Sequence, residues 1–274
     1  GTSHPKAYEY SWNDEVLAMN QFAGVLDGAV GAVASTLDTQ AAGVPVVVYN
    51  PLSVARQDVV QAEVRWPTLP LPAGVRVVGP DGVEVPSQIT GSGQDSIDVL
   101  FLATVPSVGF AVYDVQAAAA PAASTLAVTT SSLENARYRI TLDGNGDVSN
   151  IYDKQAGRLM LASPARLAFS HDFPSDWPAW NMDWSDAQPP PQAYVTAPKT
   201  ARIVENGAAR VALEITRDAE GSHFVQTIRL AAGDAGNRIE FANTIDWRSQ
   251  VCNLKAVFPL GVSNPNATYN GEVG

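Results

Sequence analysis

The sequence predicts an all-β protein preceded by one N-terminal helix. Three observations support this fold class. A helical hydrophobic pattern lies near the N-terminus, a long series of short β-rich runs follows it, and an alanine-rich break divides those runs into two groups. We therefore expect a small β-sandwich over residues 45–117, a linker over 118–131 and a larger β-sandwich over 132–274.

The predicted helix belongs to an N-terminal segment of residues 1–44. Between Trp12 and Leu37, apolar residues recur at steps of three and four, and Asn13 is the expected N-cap. Three glycines each weaken a helix by up to ~1 kcal/mol relative to alanine: Gly24, Gly28 and Gly31. A helix weakened in this way needs packing against other parts of a protein.

The first group of β-rich runs begins after Gly43-Val44-Pro45, and its runs are separated by turns such as Pro80-Asp81-Gly82. Six short strands at this spacing are typical of a small sandwich. The predicted strands cover residues 46–49, 58–66, 75–78, 83–89, 98–105 and 109–115.

The second group follows the low-complexity run Ala117–Ser124, which we interpret as part of the linker. Asp143-Gly144-Asn145-Gly146 is a predicted hairpin turn. Longer strands indicate a larger sandwich, and no helix is expected in this half. The predicted strands are 133–142, 148–152, 167–170, 200–206, 210–217, 224–230, 238–246 and 253–259.

Composition excludes several classes of partner and site. The net charge is −11 and the sequence pI is about 4.6, so the surface repels phosphate backbones and a nucleic-acid partner is not expected. No uninterrupted apolar run approaches the ~18 residues that a membrane span needs. Cys252 is the single cysteine, which rules out an internal disulfide and favours a buried apolar role. The cellular compartment stays undecided.

Two segments resemble glycoside hydrolase family 38 α-mannosidases. Val46-Val47-Val48-Tyr49-Asn50-Pro51-Leu52-Ser53 is similar to the strand that opens the small β-domain of this family. Leu133-Glu134-Asn135, continued by Gly146-Asp147-Val148 and Ile151-Tyr152-Asp153-Lys154, resembles the family's Tyr-Asp-Lys hairpin.

Two further segments follow in the family's order. The run from Asp172-Phe173-Pro174 through Trp177 to Trp180-Asn181-Met182-Asp183 resembles a loop of the bacterial, vacuolar and cytosolic branch. Asp246-Trp247-Arg248, Leu254-Lys255, Phe258-Pro259 and Ala267-Thr268-Tyr269 resemble the family's long C-terminal strands. Each motif is weak alone, but four in order identify the chain as a member of the family's C-terminal region.

The resemblance implies a more specific architecture. Family members begin with a metal-dependent barrel and a helical bundle, and two β units follow. The last unit is a supersandwich like that of galactose mutarotase, so we expect part of this supersandwich in residues 132–274. The family's supersandwich continues past the Ala-Thr-Tyr segment, which implies that it is incomplete at the C-terminus of this chain.

The resemblance also implies an activity for a longer parent protein. Family members hydrolyse terminal α-D-mannosides with retention of configuration, through a carboxylate nucleophile and a general acid. Their zinc ion is bound by His and Asp residues of the barrel and bundle. We therefore expect no catalytic residue and no metal ligand in this chain, which alone would be inactive and would support the barrel and shape the rim of the active site.

Residues His171–Asp186 are the best candidates for ligand contact. Sugars bind through aromatic faces and through carboxylates that accept hydrogen bonds from hydroxyl groups. By resemblance to the family, this segment faces the barrel near the active site. The candidate rim residues are Asp172, Asp176, Trp177, Trp180 and Asp183.

Simpler interpretations of these residues stay open. The tryptophans could pack the loop onto the sandwich or against the barrel instead of contacting sugar. His171 and Asp172 could form a metal-ligand pair, but His4, His171 and His223 lack metal-binding spacing, which favours a surface or hydrogen-bonded role for His171.

Two other classes of function are compatible with the sequence. One is a carbohydrate-binding or scaffolding β module that acts without a catalytic partner. The other is a mutarotase-like epimerase or a polysaccharide lyase, which rests on the fold alone. Loss of the barrel and bundle would expose apolar surface, so we expect apolar patches on the Trp12–Leu37 helix and near Trp177–Trp184.

Overall fold

A computed structural model describes residues 4–178, 180–266 and 268 of the protein. These residues form an antiparallel β structure preceded by one long helix, α1 (Pro5–Ala34), which confirms the predicted fold class. Three positions of the family-like segments, Ala179, Ala267 and Tyr269, lie outside the described residues.

The first group of strands forms two antiparallel sheets. Their orders are β1-β7-β3-β4 and β2-β6-β5. All six predicted strand regions are found, and the fourth of them is divided into β4 and β5. The strands are β1 (Val44–Asn50), β2 (Arg56–Arg65), β3 (Gly74–Val78), β4 (Glu84–Val85), β5 (Ser87–Ser92), β6 (Ser96–Val105) and β7 (Gly109–Ala118).

A compact apolar core joins these two sheets. Val77 and Val115 of one sheet are fully buried, as is Phe101 of the other. The ring of Tyr113 on β7 lies 5.0 Å from that of Phe101, and its hydroxyl accepts a hydrogen bond from the N–H of Thr104 on β6. The small sandwich is thus closed by alternating inward-facing residues and one buried tyrosine.

The second group of strands forms three further sheets among the described residues. Their orders are β12-β11-β10-β9-β8, β14-β13-β19 and β15-β16-β17-β18. The strands are β8 (Ala127–Thr129), β9 (Ser132–Glu134), β10 (Tyr138–Leu142), β11 (Val148–Asp153), β12 (Arg158–Leu159), β13 (Arg166–His171), β14 (Ala193–Tyr194), β15 (Thr200–Asn206), β16 (Arg210–Ala219), β17 (Ser222–Ala231), β18 (Glu240–Asp246) and β19 (Cys252–Val257).

The cores of this half pack against one face of the long β16–β17 hairpin. Leu213 and Ile228 pack with Ile140 of β10 in the larger core. Phe224 of β17 packs in a separate cluster with Phe169 of β13, ring centroids 6.0 Å apart. The same face of this hairpin thus supplies both apolar clusters, whereas the intervening residues of β17 from 223 to 229 are exposed or only partly buried.

One predicted strand, 133–142, is interrupted in the structure. Its two halves are β9 and β10, which pair with each other across a tight turn. The turn is held by the buried side chain of Asn135, whose Oδ1 accepts hydrogen bonds from the N–H groups of Arg137 and Tyr138. Asparagine favours such turns because its side chain bonds to nearby backbone.

Short elements occur where none was expected. β8 lies inside the segment predicted as a linker, next to the buried Leu126. A helical turn, α2 (Trp184–Ala187), and a 3-10 turn, Asp234–Asn237, occur in the half for which no helix was predicted. Single turns are too short to produce a hydrophobic period, so they leave no such signal in the sequence.

Helix α1 begins earlier than the sequence indicates. Its N-cap is His4, whose Nδ1 accepts from the N–H of Lys6, and Pro5 opens the first turn. Asn13 therefore lies inside the helix. Proline is favoured at the first helical position because its missing N–H would have no partner there.

No residue of α1 is buried, and its large apolar side chains face solvent. The expected apolar patch on this helix is therefore confirmed. Its exposed large apolar residues are Tyr8, Tyr10, Trp12, Val16, Leu17, Met19, Phe22, Val25, Leu26 and Val33.

By length and composition alone, α1 meets the criterion for a membrane-crossing helix, with an 18-residue window of mean hydropathy 1.4. Our expectation counted uninterrupted apolar runs, whereas α1 includes Asn20, Gln21 and Asp27. Apolar helices that pack in soluble proteins meet the same criterion, so a single such helix is weak evidence for a membrane span.

Polar contacts connect the first group of strands to the second. Oε1 of Gln88 on β5 accepts hydrogen bonds from the N–H groups of Ala209 and Arg210, both 3.0 Å long. Arg238 forms an ion pair with Asp58 of β2. Leu102 of β6 packs into the larger core of the second half. The proposed domain division at 118–131 stays a prediction.

A fully buried ion pair lies at the centre of the second half. Nη1 of Arg217 on β16 lies 3.0 Å from Asp147 and 3.1 Å from the backbone oxygen of Val195. Its Nη2 donates to Gln226 of β17 over 2.9 Å. Arg166 of β13 donates to the other oxygen of Asp147 over 2.7 Å.

Burial disfavours both charges of this pair. It raises the pKa of Asp147 and lowers the pKa of Arg217, despite their mutual attraction. The pKa of Arg166, which is partly exposed, is instead raised by its bond to Asp147. A buried pair of this kind adds little net stability, but its disruption leaves a charge without a partner.

We predict that Arg217→Met lowers the free energy of unfolding by about 1.5–3 kcal/mol, because it removes a charged hydrogen bond from the buried carboxylate of Asp147, which keeps Arg166 as a partner. Urea unfolding followed by circular dichroism measures this change.

Arg248→Met is the matched control, because the side chains of Arg248 and its partner Asp246 are 72% and 58% exposed. This control should leave stability nearly unchanged, because solvent screens an exposed ion pair. Equal effects of the two substitutions would contradict the central role of Arg217.

Candidate functional site

The candidate site is a long loop between two neighbouring strands. β13 ends at His171, and β14 pairs with β13 in antiparallel register. We call residues 172–186 the tryptophan loop, because three of the six tryptophans of the chain lie in it. The helical turn α2 begins near its end.

The tryptophans of this loop face solvent. Trp177, Trp180 and Trp184 are 74%, 73% and 75% exposed, and Phe173 is 68% exposed. Exposed apolar clusters of this kind mark surfaces that bind another molecule or another part of the protein. The expected apolar patch near Trp177–Trp184 is therefore confirmed.

Asp186 fastens the end of the loop to its start. One carboxylate oxygen lies 2.9 Å from Nδ1 of His171, and the other accepts a 2.9 Å hydrogen bond from the N–H of Phe173. The bond from Phe173, followed by the contact with His171, lowers the pKa of Asp186. Both oxygens of this ionised group are thus engaged within the protein.

Asp183 makes a second, inner connection. Its Oδ2 accepts a 2.9 Å hydrogen bond from the N–H of Ser175, and its Oδ1 accepts one of 2.9 Å from the side-chain amide of Asn181. Trp177 and Trp180 lie in sequence between the two ends of this connection. Asp183 therefore closes a small ring of backbone that carries both aromatic side chains.

Trp177 occupies the left-handed backbone region, with φ +57°. This conformation costs about 1–3 kcal/mol for a residue other than glycine, so it persists where surrounding contacts impose it. The backbone oxygen of Trp177 accepts hydrogen bonds from the N–H groups of Trp180 and Asn181, at 2.8 and 3.0 Å. The connection through Asp183 encloses this strained turn.

The loop also rests on β19, the strand that pairs with β13. The side-chain amide of Asn253 lies 3.3 Å from Oδ2 of Asp172 and 3.7 Å from the sulfur of Met182. Nζ of Lys255 lies 3.9 Å from the same sulfur. These contacts place the base of the loop against the sheet and leave the tryptophans outside.

The five predicted rim residues therefore differ in their surroundings. Asp176, Trp177 and Trp180 are exposed, whereas Asp172 and Asp183 are partly buried and bonded to other groups of the protein. The assignment of all five to the rim of an active site stays a prediction.

The second half of the chain, which contains the tryptophan loop, matches a known protein family. The profile described as "Glycosyl hydrolases family 38 C-terminal domain" matches residues 133–274, just over half of the chain. The chain belongs to this family. The family resemblance stated from the four sequence segments is thus confirmed.

The crystal structure of an α-mannosidase from Enterococcus faecalis V583 has a similar fold, with a TM-score of 0.60 and 15% sequence identity. The alignment covers 87% of this chain and 34% of that protein, so the chain spans about a third of its length. A search of curated proteins found no significant match. At 15% sequence identity, the similarity of the two structures shows a shared fold alone.

Sequence reasoning missed the partner of His171 in this family-38 domain. The sequence favoured a surface or hydrogen-bonded His171 over a metal-ligand pair with Asp172, and the structure confirms a hydrogen-bonded His171, but its partner is Asp186, fifteen residues away in sequence. Sequence reasoning also missed the contact of Asn253 with Asp172. Neither contact follows a local spacing rule, because each depends on how the loop folds back onto β13 and β19.

The described residues do not fit the zinc site expected of the parent protein. Within the described ranges, no group of three or more His, Cys, Asp and Glu side chains is arranged to hold a metal ion. His223 instead pairs with Asp218, which also forms an ion pair with Lys199.

Cavities lie elsewhere in the described part of the chain. One of about 650 Å³ is lined in part by Asp38, Phe110 and Asp114. Another of about 210 Å³ is lined by Arg217, Phe241 and other residues of the second half. Neither cavity is lined by the tryptophan loop, so this loop presents its aromatic groups on an open surface.

We predict that the carboxyl group of Asp186 titrates below the ordinary aspartate pKa of about 3.9. Because its pKa is lower in the folded loop, its contribution to loop stability is complete above about pH 4 and is lost as the pH falls through the lowered pKa. The carboxyl ¹³C chemical shift measures this, and Asp186→Asn identifies the signal. A midpoint at or above the ordinary value would contradict the bonds assigned to Asp186.

Proposed function

We propose that the chain is the non-catalytic C-terminal β region of a zinc-dependent, retaining α-mannosidase that hydrolyses terminal α-D-mannosides. Membership in glycosyl hydrolase family 38 through its C-terminal domain carries this proposal. The similar fold of a solved structure titled an α-mannosidase, of which the chain spans about a third, supports it. The galactose mutarotase-like character of residues 132–274 belongs to the same proposal.

The surroundings of the loop carboxylates support a non-catalytic role. A retaining glycosidase uses two carboxyl groups about 5–5.5 Å apart, one as nucleophile and the other as acid and base. Asp183 and Asp186 already accept hydrogen bonds with both of their oxygens from the loop and β13. The proposal therefore assigns the catalytic carboxylates and the zinc ligands to the other domains of the parent protein.

The tryptophan loop is proposed to shape the rim of the active site. Exposed indole faces suit contact with the C–H faces of a pyranose ring, and Asp176 offers an exposed carboxylate to sugar hydroxyl groups. The alternative is that the tryptophans pack against the barrel or bundle of the parent. The exposed apolar side chains of α1 suit that second role, because obligate interfaces are rich in apolar surface.

The same surface supports a second candidate function, a stand-alone carbohydrate-binding or scaffolding module. The observation that favours it is that the tryptophan loop is closed by contacts within this chain, through Asp183, Asp186 and Asn253. Sugar binding without hydrolysis by the isolated chain would be compatible with both functions. A requirement for the barrel domain in the mannosidase activity of the parent would favour the first.

We predict that the purified chain does not hydrolyse an aryl α-mannoside, with or without added zinc, and holds no stoichiometric zinc. The assay measures release of the aryl alcohol and metal content by elemental analysis. A known α-mannosidase in the same buffer is the positive control. Turnover that depends on tightly bound metal would contradict the proposal, and His171→Ala would then show whether the loop region is responsible.

A further inference from the structure

The carboxylates of the tryptophan loop fall into two groups by their contacts. Asp183 and Asp186 are directed inward, and each of their four oxygens accepts a hydrogen bond from this loop or from β13. Asp176 is exposed in the same loop. The contacts thus separate two inward carboxylates from one exposed carboxylate within the same loop.

We propose that Asp183 and Asp186 are positioning residues that hold the tryptophan loop in its sugar-binding shape before the sugar arrives. This inference rests on the proposed rim function and deepens it. It assigns sugar contact to the exposed Asp176, Trp177 and Trp180. It assigns to Asp183 and Asp186 a role that acts through the loop backbone.

The two carboxylates form nested connections. The outer one joins Asp186 to His171 and Phe173, and thereby brings the end of the loop to its beginning. The inner one joins Asp183 to Ser175, around the left-handed turn at Trp177. Each connection contains a backbone N–H that bonds to an ionised carboxylate, which is stronger than a bond between neutral groups.

Such connections matter because the loop lies between two short paired strands and its other contacts with the sheet, through Asn253 and Lys255, are at its base. A loop of this length without long secondary structure is typically either functional or disordered. If it were disordered, sugar binding would have to order it, and that entropy cost would weaken the affinity. A loop already closed by Asp183 and Asp186 avoids this cost.

The geometry also explains why the loop is anchored away from its tryptophans. Met182 and Asp172 contact β19 through Asn253, at the base of the loop. Trp177, Trp180 and Trp184 remain about three-quarters exposed. The contacts that hold the loop therefore do not cover the faces that a sugar would use.

The test compares Asp183→Asn and Asp186→Asn in the full chain. Asparagine keeps the size of the side chain but replaces one acceptor oxygen by a donor group. We expect loss of hydrogen-exchange protection at the amide of Ser175 in the first variant and at that of Phe173 in the second. We also expect at least tenfold weaker binding of methyl α-D-mannopyranoside, measured by NMR titration, in both.

Two further variants separate positioning from contact. Asp176→Asn should weaken binding of the mannoside while the amides of Phe173 and Ser175 stay protected. Asp95→Asn, an exposed surface change in the first sandwich, should alter neither property. A contact residue changes affinity alone, whereas a positioning residue changes affinity and amide protection together.

The outcomes distinguish this inference from the proposed function. If the wild-type chain binds the mannoside and both inward variants bind it equally well, the positioning role is wrong and the rim function stands. If the inward variants lose amide protection but keep their affinity for the mannoside, the positioning role is likewise wrong and the rim function stands. If the wild-type chain binds no mannoside, the rim function fails, and the positioning role fails with it. If the inward variants lose both amide protection and mannoside affinity, the positioning role and the rim function are both supported.

Discussion

The buried contact between Arg217 and Asp147 is the constraint on which the second half of the structure depends. Arg217 bonds to the turn before β11, to the backbone after β14 and to Gln226 on β17, so one side chain connects all three sheets of this half. Burial disfavours both charges, so the pair adds little net stability. Any packing that separates Arg217 from Asp147 leaves a buried charge without its partner.

This central contact is linked to the surface by β13. The strand begins with Arg166, which bonds to Asp147 in the core, and ends with His171, which bonds to Asp186 in the tryptophan loop. β19 pairs with β13 on the side opposite β14, and it supplies Asn253, the partner of Asp172. The buried ion pair thus fixes the position of the strand from which the loop extends. The position of the tryptophan loop therefore depends on contacts that reach the core of the second half.

Most of the fold could be predicted because its signals are local. Strands such as β16 and β17 alternate or run as apolar segments, and turns such as Pro80-Asp81-Gly82 separate them. The start of α1 was missed because a histidine cap followed by proline has no hydrophobic period. The pairing of Arg217 with Asp147, and of His171 with Asp186, could not be predicted, since each depends on distant segments brought together by sheet packing. The sequence did indicate which loop to consider, through its density of tryptophan and aspartate.

The most direct test of this account is the set of six tryptophan indole N–H signals in a ¹H–¹⁵N NMR spectrum, recorded during titration with methyl α-D-mannopyranoside. Methyl α-D-glucopyranoside, which differs in the orientation of one hydroxyl group, serves as the control sugar. The account predicts that the signals of Trp177 and Trp180 shift with the mannoside, while those of Trp12 and Trp66 do not. An absence of any shift, or shifts outside the tryptophan loop, would contradict it.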